Sequence, residues 1–204
     1  VLFRSNLSVA LAQAGFRVGI LDADIYGPDI PRLLNIRHET LKWGDNDKII
    51  PSENYGIKIM SVGITTPTPD TPLVWRSSVA VSALVQLIED VAWGELDFLV
   101  IDMPPGTGDI QLTVAQEMKI SAGILVTTPQ AVATDDVSRA IRMFQDIKVP
   151  IAGIIENMSY FVTPDTKARY DIFGTGGGEM LAQNYGVKLL GQIPLLMQVR
   201  ELSD

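Results

Sequence analysis

A chain of 204 residues, 47% hydrophobic and 20% charged, is long enough to bury one sizeable core and too apolar to stay disordered. Its net charge of −8 argues against DNA or RNA, which bind positive surfaces, and no apolar run can span a bilayer. No nucleic acid and no membrane are therefore expected, with a cytoplasmic location. With no cysteine and a single histidine, these residues form no disulfide, no thiolate-held metal or cluster and no multi-histidine site.

Leu7, Ala10, Leu11 and Ala14 fall on one face at helical spacing and predict a helix over 6–14, stopped at Gly15. Residues 17–21 read as a short apolar strand that runs into Asp22 and Asp24. Gly27, Pro28 and Pro31 make the next stretch a loop with room for a short helix. Residues 37–55 read as polar and irregular, 57–62 as a strand, and 65–72, with Pro67, Pro69 and Pro72, as a loop. A long amphipathic helix is predicted over 77–91 and an apolar strand over 98–101, closed by Asp102. A helix over 109–118 follows, with Asp109 as its cap. Then come strand 123–127, helix 134–146, strand 151–155, helix 179–185 and strand 188–190.

Strands that are short unbroken apolar runs, alternating with helices, indicate a mostly parallel sheet covered on both faces: one α/β domain in three layers. Ligands of such sheets bind beyond the carboxyl ends of the strands. The polar tips after each strand are therefore expected to converge: Asp22 and Asp24, residues 102–109, 127–130 and 156–159.

Phe98 to Asp102, four apolar residues and then a carboxylate, has the form of a Walker B strand, whose Asp holds the water shell of Mg2+ beside phosphates. Many buried strands end in Asp, so this alone is weak. The following Met103-Pro104-Pro105-Gly106-Thr107-Gly108-Asp109 is a stiff loop in which Gly106 and Gly108 let backbone N–H groups approach an anion. Asp22 and Asp24, spaced by two, would share a side of a continuing strand. One could approach magnesium and the other orient an attacking water; an acidic turn or a calcium site is the alternative. Gly174 to Gly178 lacks the Lys-Ser/Thr pair of a phosphate loop and reads as a flexible helix entry. His38 reads as a surface residue, Met118, Met143, Met158 and Met180 as core filling, and Trp75-Arg76 as either a structural anchor or a phosphate contact.

Leu21-Asp22-Ala23-Asp24-Ile25-Tyr26-Gly27-Pro28, Ile101-Asp102-Met103-Pro104-Pro105-Gly106-Thr107-Gly108-Asp109, Thr127-Thr128-Pro129-Gln130 and Glu156-Asn157-Met158-Ser159 occur in this order. Together they resemble the Mrp (ApbC) family of P-loop ATPases, relatives of MinD and ParA, from about Asn6 onward. The resemblance implies a P-loop NTPase-like fold and a cytoplasmic homodimer that binds ATP with Mg2+ and carries iron–sulfur clusters to apo client proteins. By match of position, Asp22 and Asp24 form a first switch, with Asp24 the catalytic residue that positions water. Asp102 faces Mg2+ through water, Gly106, Thr107 and Gly108 form a second switch near the γ-phosphate, and Asn157 reads the adenine edge.

The sequence departs from the family at two places. The family opens with a strand and a Gly-Lys-Gly-Gly-Val-Gly-Lys-Ser/Thr loop before the first helix; here that place holds Val1 to Ser5, which match the translated end of a sequencing adapter. Residues 1–5 are therefore expected to be non-native and residues 6–204 to be an incomplete single domain, cut at both ends and itself inactive. Thr163 and Thr166 occupy the family's Cys-x-x-Cys positions, and a hydroxyl does not replace a thiolate toward iron. Two other readings compete: a ParA/MinD-type positioning or regulatory ATPase, and a non-hydrolysing interaction module.

Overall fold

The computed structural model describes residues 2–65 and 77–203. The chain divides into two compact units, Val1–Pro105 with Asp109–Val114, and Gly106–Gly108 with Ala115–Asp204.

The first unit is built on a four-stranded sheet. Its strands are β1 (Val18–Asp22), β4 (Ser52–Asn54), β5 (Ile57–Ser61) and β6 (Phe98–Asp102), in the order β4-β5-β1-β6. β5, β1 and β6 are parallel and β4 is antiparallel to β5. Helix α1 (Leu2–Gln13) packs on β1, β5 and β6. Its Val9, Leu11 and Ala12 lie on a core of Val18, Ile20, Ile57 and Ile59 with Ile30, Leu34 and Ile36. Each fully buried aliphatic side chain of this group contributes about 1.5–3 kcal/mol. The remaining elements are α2 (Ile30–Leu33), the hairpin of β2 (Lys42–Trp43) and β3 (Ile49–Ile50), and α3 (Ser77–Glu89). α4 (Asp109–Glu117) follows the loop after β6.

The second unit holds a three-stranded parallel sheet of β7 (Gly123–Thr127), β8 (Ile151–Glu156) and β11 (Leu189–Gln192), in the order β11-β8-β7. Helices α5 (Ala131–Asp146) and α6 (Gly177–Tyr185) pack on it. A hairpin of β9 (Phe161–Val162) and β10 (Arg169–Tyr170) and the short α7 (Met197–Ser203) complete the unit.

Most predicted elements lie where the apolar pattern put them, and the sheets are mostly parallel as expected. Several details differ. α1 starts at Leu2 rather than Asn6, so the residues expected to be non-native are helical. β1 ends at Asp22, which leaves Asp24 in a loop rather than on a continued strand. The stretch 37–55, read as irregular, contains β2, β3 and β4; their runs are two or three residues long, too short to show a period. β1 is buried throughout, yet β6 is only half-buried and Phe98 is 42% exposed, because β6 is an edge strand. His38 is exposed as expected; Met143 is buried, but Met158 and Met180 are exposed. Beyond Thr65, the proline-rich loop and Trp75-Arg76 lie outside the described residues.

Candidate functional site

In the first unit the parallel register of β1 and β6 pairs Asp22 with Asp102 across the sheet. Both carboxylates are buried, Asp22 at 0% exposure and Asp102 at 1%. The Asp22 carboxylate is held by three donors. Asp24 N–H donates to Oδ1 at 3.1 Å, while Ile30 N–H at 3.2 Å and the Ser61 hydroxyl at 3.0 Å donate to Oδ2. Even so, burial, and then the neighbouring charge of Asp102, push the Asp22 carboxyl up to about 7. The opposing hydrogen bonds are weaker than the loss of water.

Asp102 is likewise held above the ordinary carboxylate range by burial, which Arg4 opposes and Asp24 reinforces. Arg4 Nε on α1 lies 2.7 Å from Asp102 Oδ1. The contact is an ion pair without hydrogen-bond geometry, and Oδ1 has no hydrogen-bond partner among the described residues. Asp24 is half-buried, and its Oδ1 accepts from Tyr26 N–H at 3.1 Å and Gly27 N–H at 3.3 Å. It thus fixes the turn after β1 and is tied to Asp22 through its own N–H. Asp22, Asp24 and Asp102 form one acidic cluster at one end of the sheet.

The loop after β6 is fixed by Gln111, whose side-chain amide donates to the Pro105 carbonyl. Beyond it Gly106 takes φ +98°, a backbone conformation that a side chain disfavours. Gly106 and Gly108 are exposed and Thr107 is half-buried.

In the second unit the tips of β7 and β8 meet, because Asn157 N–H donates to the Thr127 carbonyl at 2.7 Å. Asn157 is half-buried, and the Thr128 hydroxyl is buried with no partner among the described residues. Beside them, Glu156 is fully buried and accepts from three sources: the Ser159 hydroxyl, Gly178 N–H at 2.6 Å and the Gln192 amide at 2.8 Å. Within the helix entry of residues 174–178, Gly174 and Gly176 have open space around them, but Gly177 and Gly178 are packing residues. A Cβ on Gly177 would stand 2.5 Å from the Pro129 carbonyl oxygen, and one on Gly178 would stand 3.0 Å from Glu156 Cβ. At the β9–β10 hairpin, the hydroxyls of Thr163 and Thr166 are 2.6 Å apart.

Sequence reasoning named Asp22, Asp24 and Asp102 and missed Arg4 and Ser61. Arg4 stands in a segment read as foreign, and nothing marks a lone Ser at the tip of β5. Glu156 was noted only as part of a polar tip; an acid directly after an apolar strand is its single sequence signal.

The family described as ParA, NUBPL iron-transfer P-loop NTPase, matches residues 2–204. The chain is 47% identical over 200 residues to an iron–sulfur cluster carrier protein of Aquifex aeolicus. It is 48% identical over 200 residues to an Arabidopsis thaliana mitochondrial iron–sulfur protein required for NADH dehydrogenase. Each match covers 98% of this chain, but only 55% and 63% of the respective relatives' lengths. Among solved structures, the fold resembles a nucleotide-binding protein of Archaeoglobus fulgidus in complex with ADP. The TM-score is 0.86 and the identity 36%, covering 99% of this chain and 79% of that one. It also resembles the septum site-determining protein MinD of Pyrococcus horikoshii, with a TM-score of 0.69 over 99% of this chain and 78% of that one; at 18% identity this bears on the fold alone. The chain has the α/β fold of the P-loop NTPases and belongs to the NUBPL-type iron-transfer family among them.

Proposed function

We propose that the protein to which this chain belongs is a cytoplasmic homodimer that carries iron–sulfur clusters to apo client proteins and couples that transfer to ATP binding and hydrolysis. The observation that carries the nucleotide reading is the pair of buried carboxylates, Asp22 and Asp102, side by side at the ends of neighbouring parallel strands. Two buried acids cost folding free energy unless a cation or a ligand compensates them, so a pair kept in this place points to a binding task. The cargo reading is supported by the family description and by the names of the relatives.

In this reading Asp24 orients the attacking water and Asp22, through its bond from Asp24 N–H, fixes the turn that presents it. Gly106, Thr107 and Gly108 line the phosphate end, and the Asn157 amide reads the adenine edge. The residues suit Mg2+ in one specific manner. Asp102 Oδ1 accepts no hydrogen bond but faces Arg4 Nε at 2.7 Å, and a metal-bound water donating to it would take the place of Arg4. No group of three or more His, Cys, Asp or Glu able to cage a metal occurs among the described residues. The ion would neutralise phosphate charge, and its remaining ligands would come from water and substrate.

No Gly-Lys-Gly-Gly-Val-Gly-Lys-Ser/Thr segment occurs in the 204 residues, so the lysine and backbone cradle that grip the phosphates are missing from this chain. The chain by itself is therefore expected to bind ATP feebly. It also holds no cysteine, so the ligands of a carried cluster lie outside these residues or on a partner.

The test is made on the longer protein from an intact locus. Wild type should hydrolyse ATP and, after anaerobic reconstitution, pass a cluster to an apo acceptor; Asp24→Asn should abolish hydrolysis and leave nucleotide binding in place. Hydrolysis unaffected by Asp24→Asn would remove the catalytic assignment, and micromolar binding of ATP by the present chain in titration calorimetry would refute the account of the phosphate grip.

A further inference from the structure

On the side of β1 opposite β6, the parallel register pairs Asp22 with Ser61 at the tip of β5. Both residues are fully buried. The Ser61 hydroxyl donates to Asp22 Oδ2 at 3.0 Å and at the same time accepts from Gly63 N–H at 3.0 Å. A hydroxyl can do both, whereas a methyl in its place can do neither. The bonds form one chain. Gly63 N–H leads to Ser61, Ser61 to Asp22, Asp22 through Oδ1 to Asp24 N–H, and Asp24 Oδ1 to the N–H groups of Tyr26 and Gly27. The 3-10 turn Val62–Thr65 that follows β5 is thereby connected to the Asp24 carboxylate.

Packing makes the same connection a second time. A Cβ on Gly63 would stand 3.0 Å from both Cβ and Cγ of Pro28 and 3.3 Å from Ser61 Oγ. The Pro28 ring therefore lies directly against the Gly63 backbone, and a side chain at Gly63 would press on it. Asp22 opens the turn after β1 and Pro28 closes it, so the loop after β5 touches both of its ends. The turn is held from one side only. Ile25 is buried, while Tyr26 is exposed and a Cβ on Gly27 would meet nothing within 4 Å.

We propose, resting on the assignment of Asp24 to the attacking water, that Ser61 is a positioning residue for hydrolysis and that Ser61 and Gly63 together form the seat on which the Asp24 turn is set. Ser61 acts through Asp22 and Asp24 and not on the reacting atoms. A group that orients a nucleophile must be placed closely, since an error of about 1 Å can lower a rate by about a hundredfold. Losing the Ser61 hydroxyl takes one of two donors from Asp22 Oδ2 and the acceptor from Gly63 N–H. The turn then sits less firmly, while the groups assigned to phosphate and adenine are unaltered. Such a change falls on kcat rather than on KM.

The test is steady-state hydrolysis of MgATP by the longer protein and four variants: Ser61→Ala, Gly63→Ala, Asp24→Asn and Ile59→Val. Ile59 lies in the apolar core on β5, and its truncation controls for lost stability. Ser61→Ala should lower kcat by about tenfold or more with KM within about twofold of wild type. Gly63→Ala, which leaves the buried Asp22–Ser61 pair in place and pushes on Pro28, should act in the same direction and decides the matter if Ser61→Ala does not fold. Ile59→Val should keep the wild-type kcat. In NMR the amides of Asp24 and Gly63 should exchange about tenfold faster in Ser61→Ala and unchanged in Ile59→Val. An unchanged kcat in Ser61→Ala beside an inactive Asp24→Asn would overturn this role of Ser61 and leave the catalytic assignment standing. Hydrolysis by Asp24→Asn at the wild-type rate would remove both. A raised KM with normal kcat, an equal loss in Ile59→Val, or a fall in kcat without faster exchange at those two amides would each show that Ser61 does not seat the turn.

Discussion

Replacing Asp22 by Asn should stabilise the first unit near neutral pH and destabilise it in acid. The Asp22 carboxyl is raised from 3.8 to about 7, chiefly by burial and next by the charge of Asp102. A difference of about 3 units at about 1.36 kcal/mol each makes the ionised group cost the fold roughly 4 kcal/mol. The sign follows from proton counts. Between about pH 4 and about pH 7 the folded state holds a proton that the unfolded state has lost, so stability falls as pH rises through that window and levels off above it. Asn carries no charge and escapes this loss. Its amide keeps the acceptor for Ile30 N–H and Ser61 and gives up the bond from Asp24 N–H, at about 1 kcal/mol. The variant should therefore be less stable than wild type by about 1 kcal/mol near pH 4 and more stable by roughly 3 kcal/mol near pH 8. Urea unfolding followed by tryptophan emission, in chelator, measures this. Trp43 and Trp93 lie among the described residues of the first unit, and no tryptophan lies in the sequence of the second. A wild-type-minus-variant difference that stays constant with pH would refute the reasoning, since it would mean that Asp22 titrates alike in both states.

Three further outcomes are expected. Glu156→Ala should cost the second unit about 3 kcal/mol or more in calorimetry, because Gly178 N–H, Ser159 and Gln192 all lose their acceptor. Glu156→Gln should recover most of it, since an amide can accept from Gly178 and donate to the other two once Gln192 flips. Gly177→Ala should lower the melting temperature of the same unit, at about 1–3 kcal/mol, by driving a methyl into the rigid Pro129 carbonyl. Asp97 is held at about 2 by its hydrogen bonds from Arg17, so the support that it lends the fold is complete above about pH 4 and is lost as pH falls through about 2. An NMR titration of Asp97 that is unmoved by Arg17→Gln would contradict this.

Sequence by itself determined the element order, the parallel class and the acidic tips. Strands such as Val18–Asp22 and Phe98–Asp102 are unbroken apolar runs that close on Asp, the pattern of strands in a parallel sheet covered by helices. What it could not determine were relations between residues distant in the chain. Register sets Asp22 beside Asp102, and burial together with the neighbouring charge makes that pair costly. The short strands within residues 42–54 left no periodic signal, because two or three residues do not complete a pattern. Gly177 and Gly178 carry no sequence signal of packing, because the Pro129 carbonyl and Glu156 that stand against them are distant in the chain. Likewise Phe98 to Ile101 reads as interior sequence, and only strand pairing shows that among the described residues it pairs on one side, with β1. Local apolar period encodes which segments become strands and helices; close approach, shared burial and edge position arise only when separate segments meet.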